Sequence, residues 1–358
     1  MACDHPNVGI FSVGVDGKRT LKKMFKYPSD DVINQVNREF VDCFTSKKDG
    51  EIKYVRHGGT YYEAMLLPCG HCIGCRLEYS RQWAMRCTLE ALQHECNYFV
   101  TLTYDDNHLP TNPYKLCFDD STGLVTHDGH SHPLVPRDLQ LFIKRLRKHF
   151  EDKYGHIGIR FFACGEYGGK TGRPHYHIIL FNCPIPDLKL YKRNFQGKPL
   201  YNSDMLDKLW NVGYSVIAEC CFDTCAYVAR YIMKKQTGDN KVIYDQLDLV
   251  PEFTRMSRKP GVGRTFYDEN KDKIYTYDSV TILGADGKAL TPCPPKYFDK
   301  LYGEENPDGL LNIKQERSVV NAFTERSREY QTGLSKATSL SREALERDRL
   351  IIALKRTV

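Results

Sequence analysis

No apolar run in this chain of 358 residues approaches the roughly 20 residues that a membrane-spanning helix needs. A helical membrane protein is excluded on that ground. The chain opens without the basic-then-apolar pattern of an export signal, so a cytoplasmic protein is expected. It has no phosphate-cradling G-x-x-x-x-G-K-[ST] loop, and an NTP-driven helicase activity would have to come from elsewhere. Charge of one sign does not dominate: 51 lysines and arginines against 45 acidic residues leave a formal +6. That balance permits a polyanionic partner without requiring one. The rest is ordinary for a folded protein, with 41% apolar and 27% charged residues, and the length allows two domains or one with appendages.

Cysteine is plentiful, at 14 residues. In a chain expected in a reducing compartment these read as reduced thiols, metal ligands or core residues. Pro68-Cys69-Gly70-His71-Cys72-Ile73-Gly74-Cys75-Arg76 holds a C-x2-C-x2-C pattern. Three thiolates at that spacing can wrap one soft cation, with Cys3 or His5 as the fourth ligand, so a structural Zn2+ is the favoured reading. Two others stand beside it. Cys69 and Cys72 have the spacing of a redox dithiol, the type found in thioredoxin-like oxidoreductases, which leaves Cys75 without a use. They are otherwise plain thiols in a turn.

The stretch Arg160–Phe181, RFFACGEYGGKTGRPHYHIILF, ends in a β-branched, apolar run that reads as a buried strand. Side chains alternate along a strand, so His175 and His177 share a face and can share a metal ion. A lone H-x-H is a weak signal, since most such pairs are exposed or packed histidines. The Gly168–Gly172 turn folds the strand Phe161–Glu166 back, which can bring the Glu166 carboxylate to the same side. The product would be a His-His-Glu site with open coordination positions.

Around this stretch the pattern predicts a helix over Leu77–Cys96, a strand over Phe99–Tyr104 and a loop over 107–136 with solvated His127, His130 and His132. A helix carrying Leu139, Phe142, Ile143, Leu146 and Phe150 has Arg137, Lys144, Arg145, Arg147 and Lys148 on its other side. After a connection over 182–200 come a short helix at Ser203–Trp210 and a strand at Gly213–Glu219. Asp223 or Thr224 then caps a helix running through Lys235. On it Tyr227, Arg230, Tyr231 and Lys234 fall at i, i+3, i+4 and i+7 and share a face, while Ala226, Ala229 and Met233 suit docking on a sheet. Two tyrosines alone would read as a packed stripe, but Arg230 and Lys234 make a poor core and a good phosphate cradle. Arg255, Arg258, Lys259 and Arg264 form a Gly-interleaved basic loop that suits backbone phosphates of a polyanion, with scattered surface charge as the equal alternative. Residues 310–330 and 340–356 read as charged amphipathic helices.

His175-Tyr176-His177 followed by a Tyr-x-x-x-Tyr helix ending in lysine resembles the HUH superfamily of rolling-circle replication initiators. Tyr227-Val-Ala-Arg-Tyr231-Ile-Met-Lys234-Lys235 looks like the two-tyrosine motif of the microvirus initiators. The cysteine motif, Phe99–Tyr104, Gly165–Gly168 and Phe253–Arg258 resemble the gokushovirus branch, and the likeness covers about residues 69–265. It implies an α+β fold with a central antiparallel sheet of the HUH endonuclease type and flanking helices. The expected division is an amino-terminal Cys-rich segment over 1–76, an endonuclease domain over 77–265 and a helical carboxy-terminal appendage over 266–358.

The activity implied is site-specific nicking and joining of single-stranded DNA at the replication origin, with Mg2+ or Mn2+. By the resemblance His175, His177 and Glu166 are ligands of the divalent ion. Tyr227 and Tyr231 are alternating nucleophiles assisted by Lys234, with Arg230 and Lys235 at the DNA. A host helicase and polymerase are expected partners, in the cytoplasm of a bacterial host, for this viral non-structural protein. Two competitors remain: a zinc-stabilised, non-catalytic DNA-binding protein, and a thiol-disulfide oxidoreductase centred on Cys69 and Cys72.

Overall fold

Val100, Leu102 and Tyr104 are buried while Phe99, Thr101 and Thr103 between them are half-buried, so the strand they share has one face in a packed core. The computed structural model describes residues 3, 7–14, 19–25, 55–57, 60–70, 72–116, 127–169, 171–194, 197–230, 242–284 and 287–332. The chain divides into two units, Met1–Glu78 with Thr324–Val358, and Tyr79–Phe323.

In the first unit β1 (Asn7–Val13), β2 (Arg19–Phe25), β3 (Val55–His57) and β4 (Thr60–Leu67) form an antiparallel sheet in the order β2-β1-β4-β3. Helix α1 (Ile73–Ala91) begins within the cysteine motif, with Cys75 in its first turn.

The second unit is built on a seven-stranded antiparallel sheet. Its strands are β5 (Tyr98–Tyr104), β8 (Arg160–Tyr167), β9 (Pro174–Phe181), β10 (Lys189–Arg193), β11 (Pro199–Asn202), β12 (Gly213–Glu219) and β13 (Phe253–Met256). They lie in the order β10-β11-β12-β5-β9-β8-β13. A separate hairpin pairs β6 (Asn112–Leu116) with β7 (His127–Ser131).

Each face of the sheet is covered by a different core. On one, Val100, Leu102, Tyr176, Ile178 and Leu180 pack against Leu139, Phe142, Leu146 and Phe150 of α2 (Pro136–Tyr154), with Trp210 of α3 (Asp204–Trp210) beside them. On the other, Phe162, Cys164, Ile179 and Phe181 meet Trp83 and Cys87 of α1 and Cys225, Val228 and Ala229 of α4 (Phe222–Arg230). Strands β8 and β9 are thus buried on both faces, which is why Ile178–Phe181 reads as an unbroken apolar run. A third cluster joins Met85 and Leu89 of α1 to α6 (Arg264–Tyr277) and α7 (Lys296–Glu305), with the short α5 (Val242–Gln246) preceding β13 and α8 (Pro307–Thr332) following.

Two stretches expected as connections are hairpins. Pro, Gly and Asp over 107–136 suggest a loop, yet Asn112–Leu116 and His127–Ser131 exchange main-chain bonds that need no apolar pattern. Strand β10 exposes all five residues, so it lacks the alternation that reveals a half-buried strand. Helix α4 begins at Phe222, one residue before Asp223 and two before Thr224, the expected caps, with Thr224 Oγ1 accepting from the Cys221 N–H at 2.8 Å. The carboxy-terminal stretch 340–356 lies outside the described residues, while 307–332 is helical.

A candidate metal centre beside a tyrosine helix

The β8–β9 hairpin closes through Gly168, whose N–H donates to the Arg173 carbonyl at 3.0 Å, and through Gly172 at φ +64°. That turn fixes the register in which Glu166 stands opposite His175 and Cys164 opposite His177. Period-two alternation then sets Glu166, His175 and His177 on one face. Oε1 of Glu166 lies 2.6 Å from Nε2 of His175 and 2.9 Å from Nε2 of His177. One ligand atom from each converges within 4.8 Å. Glu166 is 2% exposed; burial pushes its carboxyl up, but the bonds to His175 and His177 outweigh it and hold the value at about 2.

The second nitrogen of each ring decides what the first can do. Nδ1 of His175 lies 3.1 Å from the Arg173 carbonyl, which only accepts, so Nδ1 carries the proton. In the neutral ring Nε2 is then a bare lone pair facing a carboxylate oxygen. Two acceptors at 2.6 Å need a positive charge between them, either a proton or a metal ion. The donor set, two imidazoles and one carboxylate, suits a divalent cation and leaves net positive charge. Thr101 Oγ1 holds Nδ1 of His177 at 2.9 Å, and Phe99 stacks on that ring at 5.4 Å.

Tyr227 completes this side. Cys225, Val228 and Ala229 are fully buried against the sheet, so the helical period turns Tyr227 to the flank of α4, half-buried. Its ring stands edge-on to His177 at 5.3 Å and to Phe99 at 5.8 Å.

Residues 97–236 match a family model of replication-associated proteins. Over 280 residues the chain is 36% identical to the Replication-associated protein ORF2 of Spiroplasma virus 4, covering 77% of this chain and 81% of that relative. It is 28% identical over 244 residues to the Replication-associated protein VP4 of Bdellovibrio phage phiMH2K, covering 67% and 69%. With the Replication-associated protein ORF4 of Chlamydia phage 1 it shares 34% over 173 residues, 47% of this chain and 38% of that relative. No solved structure matches. The chain belongs to the replication-associated proteins of microviruses, the rolling-circle replication initiators.

In this initiator the hairpin and α4 bring together Glu166, His175, His177 and Tyr227. Arg230 ends the described part of α4 and is half-buried. Tyr231, Lys234 and Lys235 lie outside the described residues, as do Met233 and His5.

The basic residues expected at DNA are spread. Arg255 pairs with Ala163, which puts it on the face opposite the metal triad, over the Phe253 ring. Arg258 and Lys259 are exposed beyond β13 and line a cavity of about 810 Å³ with Arg147 and Arg160. From Arg160 to Glu166 is six residues of strand, about 20 Å. Arg264 is committed to Asp268 on its own helix at 2.8 Å. On α2, Arg145 donates to the carbonyls of Leu209 and Trp210 and Arg147 to that of Ile159, whereas Arg137, Lys144 and Lys148 are exposed.

The four cysteines Cys3, Cys69, Cys72 and Cys75 also converge, their sulfurs within 4.8 Å of one another. Cys72 Sγ stands 3.8 Å from Cys3 Sγ, and Cys69 Sγ 4.0 Å from Cys75 Sγ. The N–H groups of Cys69, Cys72 and Cys75 donate to the sulfurs of Cys3, Cys69 and Cys72 at 3.2–3.4 Å. Burial pushes the Cys75 thiol well up.

Thr101 and Phe99 were not singled out as site residues from the sequence. Their signal is the alternation Phe99-x-Thr101-x-Thr103, which becomes informative only once β5 is known to pair with β9 through Thr101 and His177.

Proposed function

We propose that this initiator is a metal-dependent, site-specific DNA endonuclease and strand transferase of the HUH type, acting at the origin through 5′-phosphotyrosine intermediates. The observation that carries the proposal is the Tyr227 ring, edge-on to His177 at 5.3 Å. A phenol and a metal-ligand set so close together suit one phosphoryl-transfer site. Glu166, His175 and His177 would hold Mg2+ or Mn2+, which when bound supplies Lewis-acid stabilisation of charge on the scissile phosphate.

A phenol with an ordinary pKa near ~10 is a poor nucleophile at neutral pH. The positive charge of Arg230, three residues on in α4, would favour its phenolate, and Lys234 would assist as the resemblance implies. Tyr227 Oη attacks phosphorus in line; the new P–O bond forms as the bond to the 3′ oxygen breaks. The phenol proton leaves to solvent and the 3′ oxygen takes one up. Bond energy stays in the phosphotyrosine link, so rejoining by the reverse attack of a 3′ hydroxyl needs no ATP. Tyr231, four residues on in the sequence, would take the second cut while Tyr227 holds the first strand end.

The cysteine cluster is proposed to hold a structural Zn2+. Four sulfurs at about 2.3 Å from one centre form a tetrahedron with edges of about 3.8 Å, and the 3.8 and 4.0 Å separations agree with that. A host helicase and polymerase, in the cytoplasm of the bacterial host, would act with the initiator. The test incubates the full chain with origin-bearing single-stranded DNA and Mn2+ and seeks a protein–DNA adduct that survives denaturation. The adduct is expected from the wild type and absent from the Y227F/Y231F double variant. An adduct that persists in that variant overturns the tyrosine assignment; no adduct with any origin strand leaves only a zinc-stabilised binding protein.

A further inference from the structure

The register of the large sheet lines up one row of side chains across four strands. Tyr214 pairs with Thr103, Thr103 with His175, and His175 with Glu166. Directly paired residues project to the same side of a sheet, so Tyr214 lies on the face that carries the metal triad. It is two strands from His175, about 10 Å at ~4.8 Å per strand.

The local chain is built to put it there. A Cβ on Gly213 would meet the Thr103 carbonyl oxygen at 1.9 Å, so only glycine lets β12 close on β5 at this level. Trp210, just before, is fully buried and donates its Nε1–H to the same carbonyl at 2.9 Å, anchoring the strand from behind. Tyr214 itself takes no part in either core: it is 62% exposed, and the neighbour between it and His175 is only a threonine. Further out, Tyr201 pairs with Ile217 and Lys192 with Leu200, which carries the exposed Lys192 onto the same face near the level of Ala218, four residues along β12 from Tyr214.

We propose that Tyr214 is a stacking platform for an unpaired base of the DNA strand whose phosphate reaches the triad, with Lys192 on the backbone beyond it. The distance is right: about 10 Å is at most about three stacked nucleotides at ~3.4 Å each. The chemistry is right as well, since a half-bare phenol ring on the face of the triad offers a π-face that any base can use. The ligand class is therefore single-stranded DNA without base selectivity at this position. The inference rests on the nicking reading for its strand, and adds where that strand runs.

The test is equilibrium binding of a fluorescein-labelled oligothymidylate to the full chain, at several salt concentrations. Y214A is expected to bind about 10-fold more weakly, the scale of one lost base–aromatic stack. Y214F and Y214W should bind like the wild type. The salt slope should be the same for all four, because no phosphate contact is removed, whereas K192A should lower it by about one charge. Wild-type binding by Y214A, or an equal loss in Y214F, overturns the platform. A wild type that binds no single strand at all overturns the nicking reading on which it rests, a result the Tyr227 adduct assay would register separately.

Discussion

Nε2 of His175 faces Oε1 of Glu166 across 2.6 Å while Nδ1 of the same ring is tied to the Arg173 carbonyl. The gap between nitrogen and carboxylate must therefore hold either a proton or a cation. Mn2+ affinity should accordingly weaken as pH falls, because a proton and the ion compete for the same Nε2 lone pair. Titration calorimetry over a series of pH values reads that change. An affinity that does not vary with pH would mean that the ion binds elsewhere.

Thr101 touches no substrate in this scheme, yet its hydroxyl fixes the His177 ring through Nδ1 at 2.9 Å. Thr101→Val keeps the shape and removes the hydroxyl. Mn2+ affinity is expected to fall by about 10- to 100-fold, the range for losing an outer partner of a metal ligand. Thr101→Ser should restore most of it. Unchanged affinity in the valine variant would show that the ring is held by Phe99 stacking alone.

Glu90 anchors the far end of the site strand. Fully buried on α1, it receives the Arg160 guanidinium, His94 at 3.3 Å and the Gly263 N–H at 2.6 Å. Burial pushes its carboxyl up, but these three partners prevail and hold it below the ordinary 4.5. A depressed carboxyl contributes stability that is complete above that ordinary value and is lost as pH falls through the folded value. Glu90→Gln should cost about 3 kcal/mol at neutral pH by leaving Arg160 unpaired, and should flatten the acid limb of the stability curve. Denaturant melts from about pH 3 to about pH 7, across the carboxylate range, would show a parallel limb in the variant if Glu90 were not the group responsible.

Purified initiator should carry about one Zn2+ per chain by elemental analysis, the stoichiometry of a four-thiolate structural site. Cys3→Ser should lower the zinc content even though Cys3 is 66 residues from its nearest partner in sequence. Full retention of zinc in that variant would confine the site to Cys69, Cys72 and Cys75.

The parts of this arrangement that obey a local period were legible beforehand. Alternation in Phe99–Tyr104, the apolar run behind His177, the glycines of the 168–172 turn and the stripe from Leu139 to Phe150 each report a half-buried or buried element. Edge strands such as Lys189–Arg193 were not, because a strand exposed along its whole length has no hydrophobic pattern to show. Register is likewise silent in a single strand. Arg255 looked like a member of one basic loop, but its pairing with Ala163 turns it to the face away from Glu166. Thr101, Tyr214 and the Glu90–Arg160 pair become visible only when elements distant in sequence are brought together.

The most direct test of a metal centre serving a tyrosine is the pairing of Mn2+ binding with adduct formation in two variants, His177→Ala and Tyr227→Phe. His177→Ala should lose both tight Mn2+ binding, read by electron paramagnetic resonance, and the covalent DNA link. Tyr227→Phe should bind Mn2+ as the wild type does and yield no DNA-linked peptide at position 227. Tight Mn2+ binding in His177→Ala, or a nucleotide still attached at residues 222–230 of Tyr227→Phe, would contradict it.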